Sequence, residues 1–443
     1  MLRFLLVGFI FGAIAHGWSQ KGFAFPKNQQ KDKIPFELVN NLTLIPVEVN
    51  GKELTFLLDT GVKSTLIFSL TSEDSLEIKN AVPVKIRGLG EGGDISALKS
   101  IGNTLSVGDA TDSNHTIFVV FDESLNFSTR MGVPINGILG YDFYKDFVVK
   151  TNYISKHIIF YRPDAYVHKA CRRCQTFDLT FNKSKPYINL NVASENDFKE
   201  VTLLIDSGSS DAIWLFDERG YVTENPKNYY ADYLGLGLSG NIFGKRSRIN
   251  KIALKKYEIK NVNIAFPNLR SADSALFYKE RDGSLGGDIL KRFTVIMDYN
   301  AQKMYLKRNK NFKQPFYYNM SGLIIEHDGL VAVKSKQKVN NQSLNLDQSE
   351  QNNGAVSISV NPIYSFLLVP RFVVAEVREN SPAANAGVMK GDEIVRINGK
   401  LAHNYKLYEL TSLFSSKEGK RIVLEINRAL KNIVIKFELK KVL

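Results

Sequence analysis

Cysteine is nearly absent. The 443 residues carry two, Cys171 and Cys174, and a chain this long can bury several cores without disulfide staples. A bond between the two would close too short a loop to hold much. His168 just upstream would give only part of a zinc site, with no fourth ligand nearby. No βαβ pattern surrounds the pair, so redox catalysis is not indicated either. Long apolar runs are also lacking after the N-terminus. Phe4–Ile14 is too short to span a bilayer comfortably; it follows Arg3 and leads into small residues at Ala13–Ala15 and Gly17–Gln20. Residues 1–20 are therefore expected to be a secretory signal peptide, with export to a periplasm or the cell exterior. If uncleaved, the same segment would tether the chain to a membrane. No later segment has the length or apolarity of a span, so a soluble mature chain is expected. Acidic residues are the minority charge, 45 against 58 basic, for a net charge of +13. The basic clusters at Lys169–Arg173, Lys245–Arg248 and Lys251–Lys260 are not interleaved with aromatics as a nucleic-acid groove requires. Attraction to anionic surfaces or acidic partners is expected, and no nucleic-acid partner.

Sustained 3.6-residue periodicity is scarce as well, and what is present instead is β patterning and a duplication. Leu57-Leu58-Asp59-Thr60-Gly61 returns as Leu204-Ile205-Asp206-Ser207-Gly208, and 206 − 59 is 147. Gly88-Leu89-Gly90 returns as Gly235-Leu236-Gly237, again shifted by 147. Gly137-Ile138-Leu139-Gly140 returns as Gly283-Ser284-Leu285-Gly286, shifted by 146, and Phe147–Tyr153 is echoed by Phe293–Tyr299. Each half reads as strands and tight turns, Asn50-Gly51 being a hairpin signal. Short helices are expected after Asp142 and Asp288, with the aspartates as caps.

One Asp-Thr-Gly triplet is weak evidence. Two, each closing an apolar strand and each followed by a distant strand that closes on glycine, form a specific constellation. Two buried carboxylates held close together cannot both ionise easily, so they share a proton; one can take a proton from water while the other donates to a carbonyl. In this pattern the chain resembles the two-lobed aspartic proteases of the pepsin and retropepsin clan, over about residues 35–312. The resemblance implies two pseudo-symmetric β-barrel lobes, residues 21–165 and 176–312, complete for catalysis as a monomer without a metal or other cofactor. It implies Asp59 and Asp206 as the catalytic dyad. It also implies that Thr60 and Ser207 hydrogen-bond across the lobes, Gly61 and Gly208 allow the two loops to approach, and Ser209 touches its aspartate. Val62 stands where the first lobe would carry the matching serine or threonine, so Asp59 has fewer donors and is expected to hold the proton more often. Gly88, Leu89 and Gly90, mirrored by Gly235, Leu236 and Gly237, are candidate flaps; the first lacks the tyrosine of pepsin-like flaps.

A polar stretch at 335–354 precedes a third region. Ser381-Pro382-Ala383-Ala384, Gly387 and Gly391-Asp392-Glu393 read as a capped helix, a stop and a turn into a strand, and resemble the PDZ domains of bacterial proteases. With an aspartic protease ahead of it, the whole chain is similar to bacterial secreted aspartyl proteases with an appended PDZ module, here 322–443. Such modules bind peptide ends by strand addition, so protein substrates and a C-terminal peptide ligand are the expected partners. No glycine-rich carboxylate loop is recognisable; Tyr364, Ser365, Phe366 and Leu367 are the positional candidates for peptide contact. The expected activity is aspartic endopeptidase. The contrasting expectation is a catalytically silent scaffold of the same fold that binds peptides.

Overall fold

The computed structural model describes residues 22–70, 76–122, 125–193, 198–216, 229–268, 278–336 and 364–443. The expected signal peptide and most of the polar stretch at 335–354 lie outside them. The molecule is mainly β. One eight-stranded sheet is built from residues 37–139 and a second from 180–285, with the same strand order in each. A six-stranded sheet joins them, taking three strands from each half. A separate sheet forms from residues 323–438.

The joining sheet explains why the segment after the second glycine motif recurs. Strand Val148–Asn152 pairs antiparallel with strand Phe293–Asp298, and Lys150 lies opposite Ile296. Since 296 − 150 is 146, the repeat offset of this segment, Lys150 meets its own copy, and the residues on either side pair symmetrically about it. The pseudo-twofold axis therefore passes through this pair. One hydrophobic core, including Phe56, Phe143, Phe160, Leu203, Phe293 and Met304, runs continuously through both lobes. Along strand Leu42–Val49 the second half alternates, Pro46 and Glu48 outward, Val47 and Val49 inward. The Asn50-Gly51 turn then joins it to strand Lys52–Leu58 with φ of 48° and 86°, the left-handed pair a two-residue hairpin needs.

Two short helices do follow the repeated glycine motifs, but the aspartates do not cap them. Helices Tyr141–Tyr144 and Gly287–Leu290 start at Gly140 and Gly286. Asp142 and Asp288 sit inside the first turn, where a negative charge complements the helix dipole, and pair with Lys145 and Lys291 at 2.7 and 2.8 Å. Cys171 and Cys174 are bonded to each other.

The C-terminal module has its own core around Phe372, Leu410, Phe414, Ile422 and Leu424. Ser381 caps helix Pro382–Asn385 through Ala384 N–H at 3.2 Å, and Gly387 ends it with φ of 90°. Asp392, fully buried, takes Arg428 on both oxygens at 2.6 and 2.7 Å. Strand Leu323–Lys336, whose polar half hides it in the sequence, pairs along the length of strand Tyr364–Val377. The module rests on both lobes. Glu326 meets Arg130 of the first lobe at 2.8 Å, and Arg378 approaches Asp232 of the second at 3.7 Å.

Candidate active site

Each aspartate is delivered by the same construction. Strand Lys52–Leu58 runs parallel to Gly137–Leu139, with Leu58 beside Leu139, and Asp59 N–H donates to Leu139 O at 2.9 Å. Strand Phe198–Ile205 runs parallel to Gly283–Leu285, with Ile205 beside Leu285, and Asp206 N–H donates to Leu285 O at 2.9 Å. The glycine-closing segments of the repeat are thus the strands that hold the two aspartate loops from behind.

The loops interlock. Thr60 N–H donates to Ser207 Oγ at 3.0 Å and Ser207 N–H to Thr60 Oγ1 at 3.0 Å. Thr60 Oγ1 donates to Ile205 O at 2.6 Å, and Ser207 Oγ to Leu58 O at 2.9 Å. Four buried bonds across the pseudo-twofold axis fix the two carboxylates relative to each other. Gly61 N–H reaches Asp59 Oδ1 at 2.6 Å. A Cβ on Gly208 would sit on the Asp59 carboxylate, so only glycine lets that loop come so close. Ser209 N–H turns back to Asp206 O at 3.3 Å, and its carbonyl accepts from Gly287.

The two carboxylates differ in surroundings. Burial, then the neighbouring Asp206 charge, pushes Asp59 up to about 7. Burial raises Asp206 too, but Arg281 and Lys185, followed by the Gly208 and Ser209 amides, draw it back. Both carboxyls are therefore held above the ordinary range, and two cations that belong to neither motif oppose the rise at Asp206. Arg281 is buried, donating to Gly283 O at 2.9 Å and Ser284 Oγ at 2.5 Å. Lys185 lines the same cavity. Neither is recoverable from the paired motifs; the weak signal in the sequence is Ser284, the polar residue that breaks the second apolar-apolar-glycine pattern.

The dyad lies in a cavity of 1580 Å³ that both lobes line, larger than an ordinary small-molecule pocket. The glycine-rich candidates form its roof. Loop 87–94 and the hairpin turn after strand Tyr230–Gly237 meet tip to tip. Gly88 N–H donates to Ser239 Oγ at 3.0 Å, Ser239 N–H to Leu89 O at 2.8 Å, and Gly92 N–H to Ser239 O at 2.6 Å. A Cβ on Gly237 would strike Leu89 O. Leu89 packs into the second-lobe cluster of Trp214, Leu234 and Ile242, while Leu238 packs on the first-lobe cluster. Gly90 lies within the first tip, and Gly235 and Leu236 in the strand that leads to the second.

The cavity continues to the C-terminal module. Leu323–Ile325 and helix Leu407–Phe414 form a groove that opens into it, and Met320 N–H donates to Phe414 O at the helix end. Tyr364–Leu367 do not line this groove: they pair with Val333–Lys336 at the far end of the long hairpin, where Phe366 is 72% exposed. At the groove's end, Ser321 and Gly322 N–H both go to Asn319 Oδ1, and Leu323 N–H goes to Ser321 Oγ. Among the described residues no cluster of three His, Cys, Asp or Glu side chains could hold a metal.

Residues 45–143 match the aspartyl protease family, and residues 373–428 match the PDZ domain. The protein thus joins an aspartic-protease fold of two lobes to a C-terminal PDZ domain. The first match ends with the first lobe; the second lobe's equivalence rests on the shared register around Asp59 and Asp206. No curated protein matches the chain. Among solved structures, it is similar to an aspartic proteinase from Irpex lacteus at 13% identity and a TM-score of 0.43, over 64% of this chain and 98% of that one. That likeness is too distant to carry chemistry across.

Proposed function

We propose that the protein is an aspartic endopeptidase in which Asp59 and Asp206 share one proton and activate a water against a peptide bond. The observation that carries this reading is the pair of facing carboxylates, Asp59 buried and Asp206 half-buried, locked by four cross-lobe hydrogen bonds beneath a closed roof. Asp206, ionised, takes the water's proton; Asp59, protonated, donates to the carbonyl oxygen. The roof excludes bulk water during the step. The test is hydrolysis of a denatured protein across acid to neutral pH, with and without a statine-type transition-state analogue. Inhibition by the analogue is expected, with activity falling as pH rises through the Asp59 titration near 7. A chain that binds the analogue but cleaves nothing would be the silent scaffold instead.

The PDZ groove is proposed to recruit protein substrates, because it opens into the catalytic cavity. Its end-of-groove amides are already occupied by Asn319 and Ser321, which favours an extended internal segment over a free carboxylate. Thr411→Trp, at an exposed groove position, is expected to raise KM several-fold for a protein substrate while leaving a short peptide nearly unaffected. Equal effects on both substrates would remove the recruitment role. Export is proposed from the N-terminal segment alone, and the N-terminus of the secreted protein would decide it.

A further inference from the structure

The two lobes are alike in backbone and unlike in the chemistry of their cleft walls. Leu42 follows the two-residue turn Asn40-Asn41 and pairs with Val39; Lys185 follows the turn Lys183-Ser184 and pairs with Asn182. Two residues further on, Leu44 pairs with Leu57 and Tyr187 pairs with Leu204, each of these partners two residues ahead of its aspartate. Leu42 and Lys185 are therefore the same position in the two lobes. Ile135 and Arg281 are likewise equivalent, each two residues before the glycine that begins the supporting strand, and Ile138 corresponds to Ser284. On the Asp59 side the three positions are apolar. On the Asp206 side they are Lys185, Arg281 and Ser284, and all six residues except Ser284 line the cavity.

Arg281 and Ser284 satisfy each other at 2.5 Å. Lys185 differs: among the described residues its ammonium has no hydrogen bond and no ion pair, although the residue is half-buried. Burial, followed by the Arg281 charge, lowers its pKa, and the Asp206 and Asp59 charges only partly offset the fall. Lys183 in the adjoining turn adds a further positive charge to this wall. A half-buried ammonium with no carboxylate at hydrogen-bond distance is costly, and a ligand that supplies one recovers a charge-assisted bond in a water-poor site.

Resting on the endopeptidase reading, we propose that the cleft selects an aspartate or glutamate side chain in the substrate residue that lies against the Asp206 side of the scissile bond, and that Lys185 reads it. An extended peptide crossing the dyad would then present an apolar residue to the Leu42 wall and an acidic one to the Lys185 wall. Because Lys185 also acts on the Asp206 charge, the selection is read as a ratio between substrates and not from activity alone.

The test uses the full chain and internal peptides with blocked ends, so that a terminal carboxylate cannot substitute for the side chain. Three peptides carry Glu, Gln or Leu at the flanking residue and are otherwise identical. The wild-type protein is expected to favour Glu over Gln by about tenfold in kcat/KM, the size of one well-placed charged contact. Because the ratio compares two substrates on one enzyme, it does not depend on how much of a variant is folded. Lys185→Leu, which copies the first lobe, should bring the ratio to about one; Lys185→Arg should keep it above one; Lys185→Glu should invert it. A wild-type ratio near one with all three peptides cleaved would overturn the selectivity and leave the endopeptidase standing. A Lys185→Leu enzyme that keeps the preference would overturn the role of Lys185. Failure to cleave any peptide or a denatured protein would overturn the endopeptidase reading, and the selectivity with it.

Discussion

Asp59→Asn and Asp206→Asn are each expected to lower kcat/KM for a denatured protein by at least about a thousandfold. The mechanism needs one carboxylate that accepts a proton and one that donates it, and an amide does neither at these pH values. The two losses should be similar in size and should not multiply in the double variant, since the pair acts as a unit. Stability should move the other way and so separate lost chemistry from lost fold. Asp59 in the folded chain titrates near 7 against an ordinary value of 3.8. Across that window the folded state holds a proton that the unfolded chain has released, so wild-type stability falls as pH rises through it. Asparagine carries no charge to bury, and the Asp59→Asn variant should lose that slope. Its Tm should exceed the wild type's above about pH 7 and converge with it near pH 4. Retained hydrolysis in either variant would refute the shared-proton dyad. An inactive Asp59→Asn chain that melts well below wild type at neutral pH would mean that the substitution broke the cross-lobe lattice.

Much of this arrangement is legible in the sequence because the chain contains its own comparison. Two aspartate triplets 147 residues apart, with the later landmarks repeated at nearly the same offset, mark the duplication, and the structure shows its two copies meeting where Lys150 faces Ile296. Turn chemistry was equally readable: Asn50-Gly51 and Ser381 act as their residue types dictate. Pattern reading fails where the two copies differ. Lys185 and Arg281 replace Leu42 and Ile135, and nothing in their immediate sequence marks them as cleft residues; only strand register brings them beside Asp206. The strand Leu323–Lys336 is hidden because it leaves the core halfway, and with it the groove whose position was assigned instead to Tyr364–Leu367. The helices start at glycines and not at aspartate caps for a related reason. Gly140 and Gly286 must be glycine because backbone from the aspartate loops presses against them, and that close contact sets where each helix begins.

Locking the flap tips together is expected to abolish cleavage of protein substrates. The tips touch through backbone bonds of Leu89, Glu91 and Gly92 to Ser239 and Asn241, and through Gly88 N–H donating to the Ser239 hydroxyl. Each tip also buries a leucine in the opposite lobe, Leu89 among second-lobe residues and Leu238 among first-lobe ones. Individually these bonds contribute about 1 kcal/mol each, an amount a substrate can recover on binding. On the endopeptidase reading, the closed roof is expected to act as a gate at modest cost. Glu91 N–H donates to Asn241 O at 3.2 Å, which places the two Cα atoms about 5–6 Å apart, within the reach of a disulfide. In a Glu91→Cys, Asn241→Cys chain, oxidation should lower turnover of a denatured protein by about a hundredfold or more, and a thiol reductant should restore it. The wild-type chain treated identically controls for Cys171–Cys174. Full recovery on reduction shows that the substitutions themselves are harmless and that the loss comes from the closed tips. Undiminished turnover in the locked chain would instead mean that peptides thread under the roof from its open end, and that the tips form a fixed arch over the dyad with no part in admitting substrate.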